Sequence, residues 1–417
     1  FSHYLLKKYI TMQYKITAPK DIEASITLPT SKSISNRAII LNALSMSDYP
    51  IQNLSDCDDT RVMIDAFENE TNLIDVKAAG TAMRFLTAFL SRVPGTWIIT
   101  GTERMQERPI NVLVDALISL GARIEYLGKL GYPPLKIKGT ALDGGEIYLS
   151  GEVSSQFISA LLMIAPTMSK GLTIHLEGNI ISVPYIKLTL GMMAQYGVKS
   201  HWNGNTIKIY YEDYRPTPYI VEADWSAASY WYEIAALSDH ARIELKGLFK
   251  NSMQGDAKVA ELFMDLGIAT EFTEDGVILT KTNRITKKMF HDFVNEPDLA
   301  QTFAVTCCMM GIPFMFTGLQ SLKIKETDRI EALKVELAKL GFVLRDRENS
   351  ILEWDGERCI PDAKPVIKTY EDHRMAMAFA PAAIKVEGLI IDSPGVVSKS
   401  YPRYWNDLEQ IGFTVEE

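Results

Sequence analysis

The sequence predicts an α/β protein of two comparable lobes, each built from three repeated units whose first helix is buried. Three observations predict it. First, a polar or acidic residue followed by an apolar helical run recurs at Ser33, Thr81, Ser154, Asp224, Asp298 and Asp372, at spacings of 48, 73, 70, 74 and 74 residues. Second, another helix type ends in glycine and leads into a strand at Leu120-Gly121, Tyr196-Gly197, Leu266-Gly267, Leu340-Gly341 and Ile411-Gly412, at intervals of 76, 70, 74 and 71 residues. Glycine just past a helix supplies the left-handed stop. Third, the runs 157–165, 227–237, 299–310 and 375–383 are apolar almost all round, which marks helices enclosed on every side. A period near 70 residues is read as architecture before anything else. The earliest unit is looser, with 61–67 as its second helix.

Composition narrows the function classes. The 417 residues are 47% hydrophobic and 23% charged, ordinary for a globular chain of two or three domains. No run approaches the length of a membrane-spanning helix. A net charge of −9 argues against a nucleic-acid or anionic-membrane surface. Cys57, Cys307, Cys308 and Cys359 show no metal spacing, and the six histidines are scattered. No metal site is expected, and a reducing cytoplasm fits. Residues 1–11 read as an extension outside the fold, dispensable for activity, with Met12 opening the first strand.

The helix starts carry the chemistry. Thr30-Ser31-Lys32-Ser33-Ile34-Ser35-Asn36-Arg37 lies between a strand-like run, 24–28, and a helix whose face is Ile34, Ala38 and Leu41. Ser31 or Ser33 can cap it, and its free N–H groups and dipole point outward beside Lys32 and Arg37. The stretch reads either as a capped helix with two solvated cations or as an anion site. An arginine fork beside several hydroxyls is what phosphate or carboxylate recognition needs. Gly80 permits close backbone approach, and Thr81 either caps its helix or binds an anion. The charge-dense turn 101–110 is a solvated loop or, through Arg108, the wall of a cleft. Ser154, Ser155 and Gln156 suit phosphate oxygens or an ordinary cap. Ser182 and Tyr185, flanking Pro184, can add hydroxyls. Asp224 with Ser226 reads as a cap.

Asp298 makes a good cap, and it also suits holding a substrate hydroxyl or taking its proton. The turn 323–329 is the densest charge cluster in the chain. Lys325 and Arg329 share a face if the turn is helical. Glu326 then faces elsewhere and can act as acid or base; a helical salt-bridge network is the alternative. Tyr370-Glu371-Asp372-His373-Arg374 precedes an all-apolar helix. There Asp372 can cap, and His373 is either a proton shuttle or a hydrogen-bonded orienter. Lys399 lies in a loop before the last helix. Lys32, Arg37, Arg84, Arg108, Lys325, Arg329, Arg374 and Lys399 thus gather at starts and turns of an acidic chain, which implies small, multiply charged anionic ligands. No Walker or G-x-G-x-x-G pattern is present. The residues alone lead to a two-lobed enzyme binding phosphorylated or carboxylated metabolites.

The stretches 28–44, 79–84, 104–117, 154–166, 221–237, 325–329 and 370–377 together resemble the 5-enolpyruvylshikimate-3-phosphate synthase family, the 3-phosphoshikimate 1-carboxyvinyltransferases, from about residue 12 to the end. Thr30, Ala78, Phe85, Ser321 and Glu371 depart from residues common there, and none removes a charged group. The resemblance implies an inside-out α/β barrel: two lobes of three βαβαββ units with buried helices. One lobe is then 12–29 plus 223–417, the other 30–222, with the active site between them. It implies transfer of the enolpyruvyl group of phosphoenolpyruvate to the 5-hydroxyl of shikimate 3-phosphate, releasing phosphate through a tetrahedral intermediate, on the route to chorismate and aromatic amino acids. No metal or organic cofactor is implied.

Carried over, Ser33, Arg37, Ser154, Ser155, Ser182, Tyr185, Asp298 and Lys325 would bind shikimate 3-phosphate. Lys32, Gly80, Arg108, Gln156, Arg329, Arg374 and Lys399 would surround phosphoenolpyruvate. Asp298 would accept the hydroxyl proton, while Glu326, with Lys32 and His373, would move protons at the methylene carbon. Arg84 matches a motif but is kept off the contact list. The expected partners are these two small molecules, with no nucleic acid or membrane, and a monomer in the cytoplasm. Shikimate 3-phosphate is expected to draw the lobes closed before phosphoenolpyruvate binds. Glyphosate, which mimics phosphoenolpyruvate in this family, should inhibit if Gly80 leaves the pocket open. Two rivals stand beside this reading. The sister enolpyruvyl transferase acting on UDP-N-acetylglucosamine carries a cysteine in the loop matching 101–109 and a lysine–asparagine pair, where this chain has no cysteine and has Lys32-Ser33. A non-catalytic anion-binding protein on the same fold would have little use for both Asp298 and Glu326.

Overall fold

A computed structural model describes residues 12–69 and 71–417. The extension expected at 1–11 lies outside the described residues. Strands and helices alternate as the period requires, and the unit is βαβαββ. In the unit that begins at Leu73–Asp75, that strand pairs in parallel with Gly95–Thr100 across the helix Gly80–Leu90. Arg123–Tyr126 and Leu135–Gly139 then complete an antiparallel edge. Parallel neighbours need a crossover, so each unit places one helix between its first two strands. The same plan gives the sheets led by Gly145–Ser150 and Met289–Asp292.

Three units borrow a strand from far along the chain. Asp21–Thr27 pairs in parallel with His240–Lys246, and Gln13–Thr17 sits between Leu389–Asp392 and Thr414–Glu416. The first unit has a sheet of two short strands, Ile51–Gln52 and Tyr219–Ile220. After the helix Asp58–Glu68 the chain goes almost directly to the next unit, leaving no length for an antiparallel edge.

The buried helices are α1 (Lys32–Leu44), α2 (Gly80–Leu90), α3 (Ser155–Ile164), α4 (Trp225–Leu237), α5 (Ala300–Met310) and α6 (His373–Phe379). Their apolar side chains fall into two cores. One collects residues from Ile34 to Val221, with α1, α2 and α3 at its centre. The other collects Ile16–Leu28 with Ala223–Phe413, around α4, α5 and α6. The glycines that close the second helices have φ values of +105° at Gly121, +90° at Gly197 and +90° at Gly341, a conformation in which a Cβ would be strained.

The chain passes between the cores twice, and the two passages lie side by side. Thr30 bridges Ala223, the Ser31 amide donates to the Glu222 carbonyl at 2.8 Å, and the Asp224 amide donates to the Pro29 carbonyl at 2.9 Å. Asp224 Oδ1 caps α4 at the amides of Ser226 and Ala227, while Oδ2 accepts from the Lys32 amide at 3.3 Å. Next to it Glu222 is buried, with both oxygens occupied. Oε1 accepts from Trp225 Nε1 and the Phe249 amide, each at 2.9 Å; Oε2 accepts from Ser252 Oγ at 2.7 Å and Gln254 Nε2 at 2.9 Å. Removing a buried acceptor strands its donors. Glu222→Ala should therefore lower the free energy of unfolding by about 3 kcal/mol or more, read from urea melts. A loss below about 0.5 kcal/mol would mean that those donors find other partners.

Candidate active site

Five of the six buried helices point their N-termini into one cavity of about 460 Å³ between the cores. From α1 come Lys32, Ser33 and Arg37; from α2, Gly80, Thr81 and Arg84; from α3 and its cap, Ser154, Ser155 and Gln156. The approach to α5 brings Asp298, and α6 brings His373 and Arg374. Arg108, Ser182, Tyr185, Ser321, Lys325, Glu326 and Arg329 complete the wall. The mouth of α4 does not open here. Asp224 caps it, Gln254 Oε1 takes the Trp225 amide, and Asp256 takes the Ser226 hydroxyl.

Local structure decides which side chains are free for a ligand. Ser31, rather than Ser33, caps α1 at the Ile34 amide, so Ser33 faces the cavity. Thr81 makes no cap; its hydroxyl accepts from Gln156 Nε2 at 3.1 Å. Asp298 does not cap α5 either. It sits in the 3-10 turn Pro297–Leu299, and its carboxylate turns toward the cavity. The segment 325–328 is not helical: Lys325 is extended, with φ −80° and ψ −153°, and the helix starts at Arg329. The shared helical face expected for Lys325 and Arg329 is therefore absent, yet both cations reach Asp298. Ser182 holds the left-handed region at φ +53°, which is uncommon for a residue with a Cβ and concentrates at functional sites.

The acid groups lie on one wall, each tied to cations. Asp298 meets Arg329 Nη1 at 3.0 Å, Arg374 Nη2 at 2.9 Å and Lys325 Nζ at 3.6 Å. Burial alone would raise the pKa of Asp298, but Arg374, Lys325 and Arg329 hold it well below the usual carboxylate range,. Glu326 receives Lys399 Nζ and Arg329 Nη2, each at 3.1 Å. Burial again opposes its charge, and Lys399, Arg329 and Arg108 depress its pKa. Arg329 is fully committed: its Nε also binds Asp372 at 2.7 Å, and these anions raise its pKa against the cost of burial. Lys399 does not line the main cavity. It acts on Glu326 from behind, in a smaller chamber.

The opposite wall is different. Arg37 donates to Thr189 Oγ1 at 2.7 Å, the Ser33 carbonyl at 2.8 Å and Ser159 Oγ at 3.2 Å, all neutral acceptors. Burial lowers its pKa to about 10. Arg84 reaches the carbonyls of Gly80 and Pro109, and burial with Arg108 nearby pushes its pKa well down. Arg108 is buried over Gly80, whose Cβ, if present, would stand 2.7 Å from Nη1. Among the described residues no carboxylate pairs with Arg37, Arg84 or Arg108. Lys32 alone on this wall has a counter-ion, Asp59 at 3.0 Å. Burial opposes its charge, but Asp59, ahead of Cys57 and Glu326, lifts the ammonium above its ordinary value.

His373 is buried, and burial with Lys32 and Arg374 beside it lowers its pKa well below 6.5. Its ring is neutral at pH 7, and neither nitrogen has a hydrogen-bond partner among the described residues. Tyr185 donates to Asp298 Oδ2 at 3.1 Å across the two cores. Asp59, Arg84 as a lining residue, and Asp256 were not singled out from sequence. A first-turn acidic pair, Asp58-Asp59, was the available signal for one of them.

The comparisons bear on the whole chain. The sequence model of the family described as EPSP synthase (3-phosphoshikimate 1-carboxyvinyltransferase) matches residues 16–70 and 67–408. A 3-phosphoshikimate 1-carboxyvinyltransferase of Bacteroides fragilis (strain YCH46) is 59% identical over 406 residues, covering 97% of this chain and 99% of its own. One of Aliivibrio fischeri (strain MJ11) is 36% identical over 422 residues, covering 94% and 97%. Among solved structures, EPSP synthase from Acinetobacter baumannii aligns with a TM-score of 0.78 at 21% identity, covering 97% of this chain and 100% of its own. That likeness bears on the fold.

Asp256 yields a pH prediction. Burial, with Asp298 close by, raises its carboxyl to about 7. A raised acid favours the folded state below its unfolded value near 4, and that contribution is lost as pH rises through about 7,. Asp256→Asn should thus raise the melting temperature at pH 8 relative to wild type, and do so less at pH 6. Equal shifts at both pH values would show that ionisation of Asp256 is not the cause.

Proposed function

The chain belongs to the EPSP synthase family, and from that premise we propose how its cavity divides the work of the reaction. The reaction transfers the 1-carboxyvinyl group of phosphoenolpyruvate to the 5-hydroxyl of shikimate 3-phosphate and releases phosphate, a step of the shikimate pathway toward aromatic amino acids. The observation that carries the site assignment is the set Arg37, Arg84 and Arg108: three buried cations with no ion-paired carboxylate among the described residues, facing a wall that holds Asp298 and Glu326. The two substrates bring four anionic groups, and such cations offset their mutual repulsion.

In this reading Ser33, Arg37, Ser154, Ser155, Ser182, Tyr185, Asp298 and Lys325 hold shikimate 3-phosphate. Lys32, Gly80, Arg108, Gln156, Arg329 and Arg374 surround phosphoenolpyruvate. Arg84 supports that second group, and Lys399 acts through Glu326. The lobes are 12–29 with 223–417, and 30–222; the two separate cores support that division. Both walls come from one chain, which supports a monomer complete in itself. Unpaired and mostly buried cysteines support a reducing compartment such as the cytoplasm. Among the described residues no helix is long and apolar enough to cross a membrane.

Charge states suggest the proton path. Lys32 keeps its proton and is the acid for the methylene carbon of phosphoenolpyruvate, while the substrate 5-oxygen attacks the adjacent carbon. Asp298 takes the hydroxyl proton. As it stands, that carboxylate is a weak base, held down by three cations. Arg374 and Lys325 turning toward substrate anions would restore its basicity. Glu326, ionised, then removes a proton from the new methyl group as phosphate departs. The proton that Lys32 gives to the methylene carbon is taken off by Glu326 and passes back to Lys32, which resets both groups; the hydroxyl proton passes from Asp298 to the departing phosphate. Neutral His373 orients this exchange beside Lys32 and Glu326.

Supplying both substrates and assaying phosphate tests the reading, with each substrate alone as control. Release only with both is expected, and no release would overturn it. Asp298→Asn should lower kcat by about 10²–10⁴-fold, whereas Arg37→Ala should act mainly on the KM for shikimate 3-phosphate, by about 2–5 kcal/mol. Gly80→Ala should displace Arg108 and weaken both phosphoenolpyruvate binding and glyphosate inhibition. Unchanged sensitivity to glyphosate would place that glycine away from the phosphoenolpyruvate subsite.

A further inference from the structure

Few described side chains bond across the two halves, and two of them do so outside the main cavity: Ser398, whose hydroxyl donates to Asp58, and Arg104. Arg104 is on the short helix Glu103–Gln106, in the half of the molecule that carries the unpaired arginines. Its side chain is exposed, and Nη1 pairs with Glu107 on its own helix at 3.2 Å. The rest of its fork reaches across. Nε donates to the Glu326 carbonyl at 3.1 Å, and Nη2 to the Lys325 carbonyl at 3.4 Å.

Those carbonyls belong to the two residues whose side chains meet Arg329 and Asp298. Their backbone has little regular structure of its own. The 3-10 turn Gln320–Ile324 stops before them, and the helix Arg329–Lys339 starts after them. Carbonyls at the end of a helical turn are orphan acceptors and attract cations. Arg104 also borders the second chamber, about 20 Å³, with Arg108, Glu326, Glu371 and Lys399. That volume is the size of a single water site.

We propose that Arg104 is a positioning residue. As the two walls come together it fastens the main chain of Lys325 and Glu326 and so fixes where their charged groups stand, while shielding the rear of Glu326 from bulk water. The bond exists only with the walls in contact, so it couples closure to the placement of the acid–base group. A displacement of about 1 Å at such a group is enough to cost roughly a hundredfold in rate.

The inference rests on the reaction assigned above, and its test separates the two. Arg104→Ala is expected to lower kcat by about tenfold or more, to leave both KM values within about threefold and to shift the melting temperature by less than about 2 °C, as befits an exposed side chain. Arg104→Lys, with one cationic centre and no fork, should fall between. Hydrogen exchange of the backbone amides in segment 323–328, followed with and without shikimate 3-phosphate, should be faster in the alanine variant than in wild type. A kcat within twofold of wild type with unchanged exchange overturns the proposal. A raised KM at full kcat would make Arg104 a substrate contact instead, and a large loss of melting temperature would make it structural; either overturns it. If wild type itself released no phosphate, the reaction reading would fail, and the exchange comparison would still decide on the clamp.

Discussion

Three buried guanidinium groups that form no ion pair among the described residues are the constraint around which the molecule is arranged. An unpaired cation out of water costs several kcal/mol, and Arg37, Arg84 and Arg108 share one cavity. The positive ends of α1, α2 and α3 add to their field. Such a wall is tolerable only because an aqueous cavity lies before it and anions can enter. The facing wall is built the other way. Asp298, Glu326 and Asp372 are matched by Arg329, Arg374, Lys325 and Lys399. One wall thus carries an excess of positive charge, and the other a balanced network of ion pairs. Arg329 links three carboxylates of that network at once, so their ionisation cannot be assigned one residue at a time.

The repeat explains why so many polar groups can meet. A helix enclosed by apolar neighbours must leave its polar start at an open end, because four amides there lack partners within the helix. Five such ends converge. The sixth, on α4, is sealed by Asp224, Gln254 and Asp256 next to the paired crossings. Strain collects nearby: Ser182, Tyr370, Glu371 and Ser393 all take positive φ, and Ser182 and Asp372, which follows the Tyr370-Glu371 pair, each start a helix bordering the site.

Much of this was legible in the sequence, for stated reasons. Periodicity and terminal glycines are local signals, so the units and buried helices could be read directly. The cations at helix starts were visible as departures from apolar runs, and Lys32, Arg37, Arg108, Arg329 and Arg374 do line one cavity. Lys399 could be seen only as a loop cation; its place behind Glu326 depends on a turn far away in the chain. The pairings of Asp59 and Asp256 are not legible because their partners, Lys32 and Ser226, lie 27 and 30 residues away, beyond any helical or strand spacing. Whether the turn 325–328 is helical is not legible, since charges four apart fit a helix equally well when the backbone is extended. The two-stranded first sheet was hidden too, because one strand, Tyr219–Ile220, arrives after the next two units are complete.

The neighbouring crossings at Thr30 and Ala223 have a consequence for biosynthesis. Everything from 31 to 222 is inserted between Asp21–Thr27 and its partner His240–Lys246. At a translation rate of about 5–20 residues per second, the earlier strand emerges from the ribosome on the order of ten seconds or more before its partner. During that interval it is an unpaired edge carrying Ile22 and Ile26, both destined for the core. The inserted half can condense on its own in the meantime. The nascent chain thus carries an unpaired apolar ribbon for about half of its synthesis, and the charges at its outward positions, Asp21 and Glu23, disfavour edge-to-edge pairing with its neighbours,.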